Sequence, residues 1–90
     1  MRVANKDSAT AVLRQLEFTG SNLFGEHSEN TYAVYSYGYH FPIYALVGGV
    51  WYGNKDKYSP STSKQQRQSN PGCVDEWVDT NTLKKLIKEA

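Results

Sequence analysis

Two adjacent glycines, Gly48 and Gly49, constrain the fold of this chain more than any other feature. They separate two apolar and aromatic segments, residues 41–47 and residues 50–52. Glycine adopts positive φ angles freely, and a pair of glycines between apolar segments is typical of a two-residue β-hairpin turn. A turn of this length predicts three pairs of opposing residues: Val47 with Val50, Leu46 with Trp51, and Ala45 with Tyr52.

This register assigns each side chain of the hairpin to one face of the predicted sheet, because successive side chains of a strand point in opposite directions. Pro42 has no N–H to donate, so we expect it at the start of its strand or on an edge. One face carries Tyr44, Leu46 and Trp51, and the other carries Ile43, Ala45, Val47, Val50 and Tyr52.

A second strand is predicted over residues 31–39, which are rich in aromatic and β-branched side chains. Because bulky side chains occur on both faces, we expect a central strand that is covered on both sides. Residues 23–27 fit either a short strand or an irregular approach to the sheet. In the strand, Tyr32, Val34 and Ser36 point one way, and Ala33, Tyr35 and Tyr37 point the other.

Helices are predicted near both ends of the chain. The apolar stripe Ala9, Val12, Leu13 and Leu16 predicts a helix over residues 8–17, capped by Asp7 or Ser8. A final helix begins after a cap at Asp79 or Thr80 and carries the stripe Leu83, Leu86 and Ile87. Two segments are ambiguous: residues 61–68 fit a short capped helix or an ordered loop, and residues 74–78 an edge strand or one helical turn.

These elements predict a single α+β domain over residues 1–90. We expect a small antiparallel β-sheet of three to four strands, flanked by an N-terminal and a C-terminal helix. A chain of 90 residues buries only a thin core, for which an aromatic content of 13% compensates.

The residue types that catalytic and metal sites need are sparse. Cys73 is the only cysteine, and His27 and His40 lack the spacing of a metal-binding motif. No Gly-x-Ser-x-Gly elbow occurs, and the Ser-x-x-Lys match at residues 61–64 is too common by chance to indicate catalysis. We therefore predict a protein that is not an enzyme, with no catalytic residues, no metal and no cofactor.

No segment has the length and apolar character of a signal peptide or a membrane span. With a single, unpaired cysteine, this composition favours a cytoplasmic protein that does not associate with membranes.

Seven tyrosines are the most unusual feature of the composition, and six of them fall in or beside predicted strands. We expect about half of them to fill the thin core and the others to form an exposed patch. The net charge is only +1, and the basic excess lies within residues 54–68. Exposed rings beside basic groups suit either a protein partner or stacked bases with their phosphates.

Two sets of residues are therefore candidates for binding. For a protein partner, the hairpin rings and the polar segment after them supply Tyr44, Trp51, Tyr58, Ser59, Thr62, Ser63, Lys64, Gln65 and Arg67. For nucleic acid, strand tyrosines and the basic loop supply Tyr35, Tyr37, Lys55, Lys57, Lys64 and Arg67.

The chain reads Val-Tyr-Ser-Tyr-Gly at residues 34–38 and Phe-Pro-Ile at 41–43, then Lys-Tyr-Ser at 57–59 and Thr-Ser-Lys-Gln-Gln at 62–66. In this it resembles a family of small uncharacterised phage and prophage proteins, over about residues 31–66. The family pattern has histidine where this chain has Gln65. Glutamine keeps hydrogen bonding but loses acid–base chemistry, which favours a structural or binding role for this segment.

The resemblance implies a phage-type accessory protein in the cytoplasm of a bacterial host. Our preferred hypothesis is a non-enzymatic protein that binds a protein partner, such as an inhibitor of a host or defence protein of the anti-CRISPR kind. The alternative is a nucleic-acid-binding accessory protein that uses strand tyrosines and the basic loop.

Overall fold

The computed structural model describes all 90 residues and contains one sheet whose six strands lie side by side in chain order. Adjacent strands are antiparallel except for the last pair, which is parallel. The predicted α+β class is confirmed, but the sheet has more strands than the three to four expected and is mixed. The strands are β1 (Phe18–Thr19), β2 (Leu23–Ser28), β3 (Thr31–Ser36), β4 (Pro42–Val47), β5 (Val50–Asn54) and β6 (Glu76–Val78).

Three helices cover the two faces of the sheet: α1 (Ser8–Leu13), which follows a 3₁₀ turn at Asn5–Asp7, α2 (Pro60–Ser69) and α3 (Thr80–Glu89). Helices α1 and α2 pack together on one face, where Val12 joins a core that contains Tyr32 and Tyr44. Helix α3 packs against β4 and β5 on the opposite face, where Leu83 contacts a second core around Ala33.

The sheet was underestimated because its outer strands are short. Strand β1 has two residues, too few for an alternating pattern to appear in the sequence, and the three residues of β6 lie in segment 74–78, which fitted either an edge strand or one helical turn. The chain runs from β5 to β6 through α2, and a crossover of this kind makes the two strands parallel. Trp77 of β6 lies opposite Gly53, where an added Cβ would meet the indole ring at 2.5 Å, so the ring occupies the space that a side chain at residue 53 would take.

The hairpin around Gly48 and Gly49 has the predicted register. Its three predicted pairs all form, and both glycines have positive φ, 58° and 80°. One face assignment was wrong, because β4 contains a bulge. Tyr35 lies opposite Pro42 rather than Ile43, and the unpaired Ile43 side chain joins the same core as Tyr44.

Strand β3 is central, as predicted, and all six of its residues are buried. It ends at Ser36, earlier than the predicted residue 39, because Tyr37 and Gly38 adopt φ angles of 62° and 124° that leave the extended region. The predicted alternation holds within β3: Val34 lies in the core beneath α1 and α2, and Tyr35 lies in the core beneath α3. It fails at Tyr37, which was predicted on the face of Tyr35 but lines a cavity with Lys64 and Gln65 of α2.

The predicted helix over residues 8–17 is too long, because α1 ends at Leu13. Gln15 has a φ of 56°, and the Leu16 N–H donates to the Ala11 carbonyl at 2.9 Å. This is a Schellman ending, for which glycine is the usual residue at the left-handed position. Glutamine there carries no such signal in the sequence.

The predicted cap and stripe of this helix also need correction. The Asp7 side chain makes no capping hydrogen bond. The buried Ser8 hydroxyl instead donates to the carbonyls of Asn5 and Gln68, at 2.7 and 3.3 Å. Leu13, expected in the core, is half exposed.

The ambiguous segments resolve into regular structure. Residues 60–69 form α2, with Pro60 in the first turn and the Ser59 hydroxyl accepting from the Thr62 N–H at 3.1 Å. Residues 76–78 form an edge strand. Asp79 caps α3 by accepting from the Thr82 N–H at 2.8 Å.

The hydroxyl of Tyr44 provides a test of how α2 is attached to the sheet. It donates to the Gln66 carbonyl at 2.7 Å in a buried environment, and burial raises its pKa to about 12. We expect Tyr44→Phe to lower the free energy of unfolding by about 1–2 kcal/mol, since a buried carbonyl loses a donor. Urea denaturation measures this change. Tyr52→Phe is the control, because Tyr52 is only half-buried; equal losses in the two variants would contradict the assignment.

Candidate functional site

Three aromatic residues of the predicted binding sets lie in the core. Tyr44 and Trp51 are 1% and 8% exposed and pack beneath α1 and α2. Tyr35 is 8% exposed and stacks on Phe24, with ring centroids 5.3 Å apart. These rings have almost no surface to offer a partner, so we leave them out of the candidate site.

The inner face of α2 is polar and buried, and Gln65 is the centre of it. Its Oε1 accepts from the Ser36 hydroxyl, and its Nε2 donates to the carbonyls of Ser21 and Asn22, both at 3.3 Å. One side chain therefore connects α2 to the end of β3 and to the turn before β2. Its role in the structure is to hold these three segments together.

Gln66 makes an equivalent connection on the other side of α2. Its Nε2 donates to the carbonyls of Asn54 and Asp56, at 3.1 and 3.2 Å. Thr62 is fully buried and its hydroxyl accepts from Ser59 at 3.1 Å. Of the predicted partner-binding set, Ser59, Thr62 and Gln65 thus stabilise α2.

The exposed members of the predicted sets meet at the end of the sheet where β3 stops and α2 starts. Tyr37 is 56% exposed and Tyr58 is 75% exposed. The Tyr58 ring lies 5.4 Å from that of Phe41, with the planes tilted by 39°. A cavity of about 210 Å³ opens beside these rings; we call it the aromatic crevice, and it is lined by Ser36, Tyr37, His40, Phe41 and Tyr58.

A larger and more open cavity of about 640 Å³ adjoins the crevice, and Tyr37 lines both. We call it the polar groove. It lies between the N-terminal segment, the turn before β2 and α2, and Arg2 and Lys64 are its two basic residues. Its remaining lining consists of Val3, Ala4, Asn5, Ser21, Asn22, Ser61, Gln65 and Gln68.

Neither cavity is lined by a carboxylate. Two cavities elsewhere on the protein do contain acidic residues, Glu29 in one and Glu17 with Glu26 in the other. The crevice and groove therefore form a locally basic surface on a chain whose net charge is only +1.

The other predicted basic residues surround this surface without entering it. Arg67 is exposed one turn along α2 from Lys64, and Lys55 and Lys57 are exposed in the segment between β5 and α2. Asp56, between these two lysines, is held by Thr80, whose N–H and hydroxyl both donate to its carboxylate at 2.8 Å. These bonds hold the pKa of Asp56 below its usual value. Ser63 is half exposed on α2.

Tyr37 has an unusual backbone for a bulky residue. Its φ of 62° lies in the left-handed region, which costs a non-glycine residue about 1–2 kcal/mol. Its N–H donates to the Asn22 carbonyl at 2.9 Å, which holds the residue in place. Strained residues of this kind concentrate at functional sites.

The structure contains no group of three His, Cys, Asp or Glu residues that could hold a metal ion. The His27 Nε2 lies 2.6 Å from the Gln15 carbonyl, and Cys73 is exposed as a free thiol. None of the helices has the length and apolar character needed to span a bilayer.

Searches against protein-family models, curated proteins and solved structures return no match for this chain. The resemblance to phage and prophage proteins therefore stays a prediction. The structure does bring its two segments into contact, through the rings of Phe41 and Tyr58 and through the hydrogen bond from Ser36 to Gln65.

Sequence reasoning missed Arg2, Ser36, His40 and Phe41 as site residues. Arg2 reaches the groove because the N-terminal segment pairs with β1, where the Thr19 N–H donates to the Met1 carbonyl at 2.8 Å. No pattern in the first residues indicates this pairing. His40 and Phe41 follow Tyr37 in the same loop, and the aromatic content of that loop is the sequence feature that could have indicated them as site residues.

The strain at Tyr37 predicts an inverted order of stability for two truncations. Both Tyr37→Ala and Tyr37→Gly remove the ring, but only glycine relieves the positive φ. We expect the glycine variant to be more stable by about 1 kcal/mol in urea denaturation. At Tyr39, which has no positive φ, alanine should be the more stable residue. The same order at both positions would contradict strain at Tyr37.

Proposed function

We propose that this protein is a non-enzymatic binding protein that contacts a protein partner through the aromatic crevice and the polar groove. The observation that supports this most is the pair of exposed rings, Tyr37 and Tyr58, beside cavities without a carboxylate. Tyrosine is enriched among the residues that dominate binding energy at protein interfaces, because it combines a large apolar area with a polar hydroxyl.

The position of the surface also supports this proposal. It lies where the loop after β3 meets the start of α2, and the hydrogen bond between Ser36 and Gln65 attaches α2 to the end of β3. A surface on fixed elements loses little conformational entropy on binding. Lys64 and Arg2 add positive charge that would orient an acidic partner.

We propose further that the protein acts in the cytoplasm of a bacterial host as a phage-type accessory protein. Its partner would be a host or defence protein that it inhibits, in the manner of an anti-CRISPR. The resemblance of residues 31–66 to phage and prophage proteins supports this origin. Inhibition by occupying a surface requires no catalytic group, which fits a chain of this size.

The proposal is tested by affinity purification from the lysate of a candidate bacterial host, with the bound proteins identified by mass spectrometry. The site variant combines Tyr58→Ala and Lys64→Glu, which removes an exposed ring and reverses a charge of the groove. The control combines Tyr39→Ala and Lys84→Glu; Tyr39 shares the loop of His40 but lines neither cavity, because its ring packs on Phe24 and Tyr35.

We expect a protein that the wild type and the control retain and that the site variant loses. If no retained protein distinguishes the site variant from the control, the proposed surface is wrong.

Nucleic acid is the second candidate partner, supported by exposed Tyr37 and Tyr58 beside Lys57 and Lys64. Rings of this kind stack on bases of single strands while cations contact phosphates. We would expect fluorescence anisotropy to report single-stranded oligonucleotide binding at micromolar protein and low salt, weakened by Lys64→Glu but not by Lys84→Glu. Binding that does not fall steeply with salt, or is absent, would exclude this candidate.

A further inference from the structure

The aromatic crevice has the size of a single side chain. Its volume of about 210 Å³ is about a third of that of the polar groove and lies below the roughly 300–1,000 Å³ of pockets that hold drug-sized ligands. A single side chain therefore suits it better than a larger ligand. The crevice is also smaller and more enclosed than the polar groove, so a group inside it would lose more of its contact with water than a group in the groove.

The walls of the crevice suit a flat apolar group. The rings of Phe41 and Tyr58 pack together with centroids 5.4 Å apart, and Ser36, Tyr37 and His40 complete the lining. Aromatic rings pack best in offset or edge-to-face arrangements, and the three rings of Tyr37, Phe41 and Tyr58 that line the crevice offer such contacts to an inserted ring.

The charges around the crevice exclude a cationic occupant. Aromatic pockets bind ammonium groups through the negative faces of their rings, but here no carboxylate assists, and Lys64 and Arg2 lie in the adjoining groove. These two side chains would repel a cation and attract carboxylates placed beside the inserted ring.

We propose that the partner contacts this protein through an acidic segment that inserts one aromatic side chain into the aromatic crevice. This inference rests on the proposed function. The carboxylates of the segment lie over the polar groove, near Arg2 and Lys64. A polynucleotide also combines rings with negative charge, but a protein with a net charge of +1 attracts a polyanion weakly. A few carboxylates match the two groove cations better.

The experiment is a titration of the ¹⁵N-labelled protein followed by ¹H–¹⁵N correlation spectra, and it needs no knowledge of the partner. The first ligand is a short peptide with one tyrosine flanked on both sides by glutamates. Its comparison peptides replace the tyrosine by leucine or the glutamates by lysines, and adenosine monophosphate represents the nucleotide alternative.

We expect the acidic tyrosine peptide to shift the amide signals of Tyr37, Phe41, Tyr58 and Lys64 in a saturable way. Tyr58→Ala should weaken its binding about tenfold, which corresponds to about 1.4 kcal/mol. Tyr58→Phe keeps the ring and serves as the matched control, so its affinity should change less than about twofold. The leucine and lysine peptides should each bind about tenfold more weakly than the acidic tyrosine peptide.

Three results would overturn the inference: no saturable shift with the acidic tyrosine peptide, equal binding of the lysine peptide, or binding of adenosine monophosphate in its place. The outcome is separate from that of the affinity purification. If the Tyr58→Ala and Lys64→Glu variant fails to retain a host protein that the wild type retains, the proposed function stands even if the peptide does not bind. A peptide that binds as expected would keep this site even if no host protein were found.

Discussion

The attachment of α2 to the sheet by hydrogen bonds is the interaction on which the rest of this structure depends. The inner face of the helix is polar, and its four buried residues are Thr62, Gln65, Gln66 and Ser69. Leaving a buried polar group without a partner destabilises a protein by more free energy than its hydrogen bond contributes. Few alternative positions of the helix would therefore satisfy these side chains. Only Gln66 Oε1 lacks a partner. The helix is thereby fixed in position as well as stabilised.

The candidate site follows from this attachment. Tyr58 stands just before the Ser59 cap, and the contact of its ring with Phe41 depends on where α2 begins. Lys64 faces the groove because its neighbour Gln65 is bonded to the end of β3 and to the turn before β2. The residues predicted to bind a partner thus form two groups: some hold the helix in place, and the others are exposed at the candidate site.

Local rules predicted the parts of the fold that depend on neighbours in the sequence. A two-residue glycine turn permits one register, so the pairing of Leu46 with Trp51 followed directly. The early end of α1 depends on Gln15 in a left-handed conformation, and the length of the sheet depends on strands of two and three residues. The burial of Trp51 could not be predicted, because it depends on helices that are distant in the sequence and cover its face of the sheet.

The order of the strands has a consequence for how this chain folds. Strands β1 to β5 form a meander in which each strand pairs with the next, so their contacts need only short loops to close. The parallel pairing of β6 with β5 spans the segment that contains α2, and closing this longer loop costs more entropy. Docking of α2 shortens the loop that remains to be closed, because it brings the chain back beside Gly53. We therefore expect α2, β6 and α3 to assemble on the meander after it has formed.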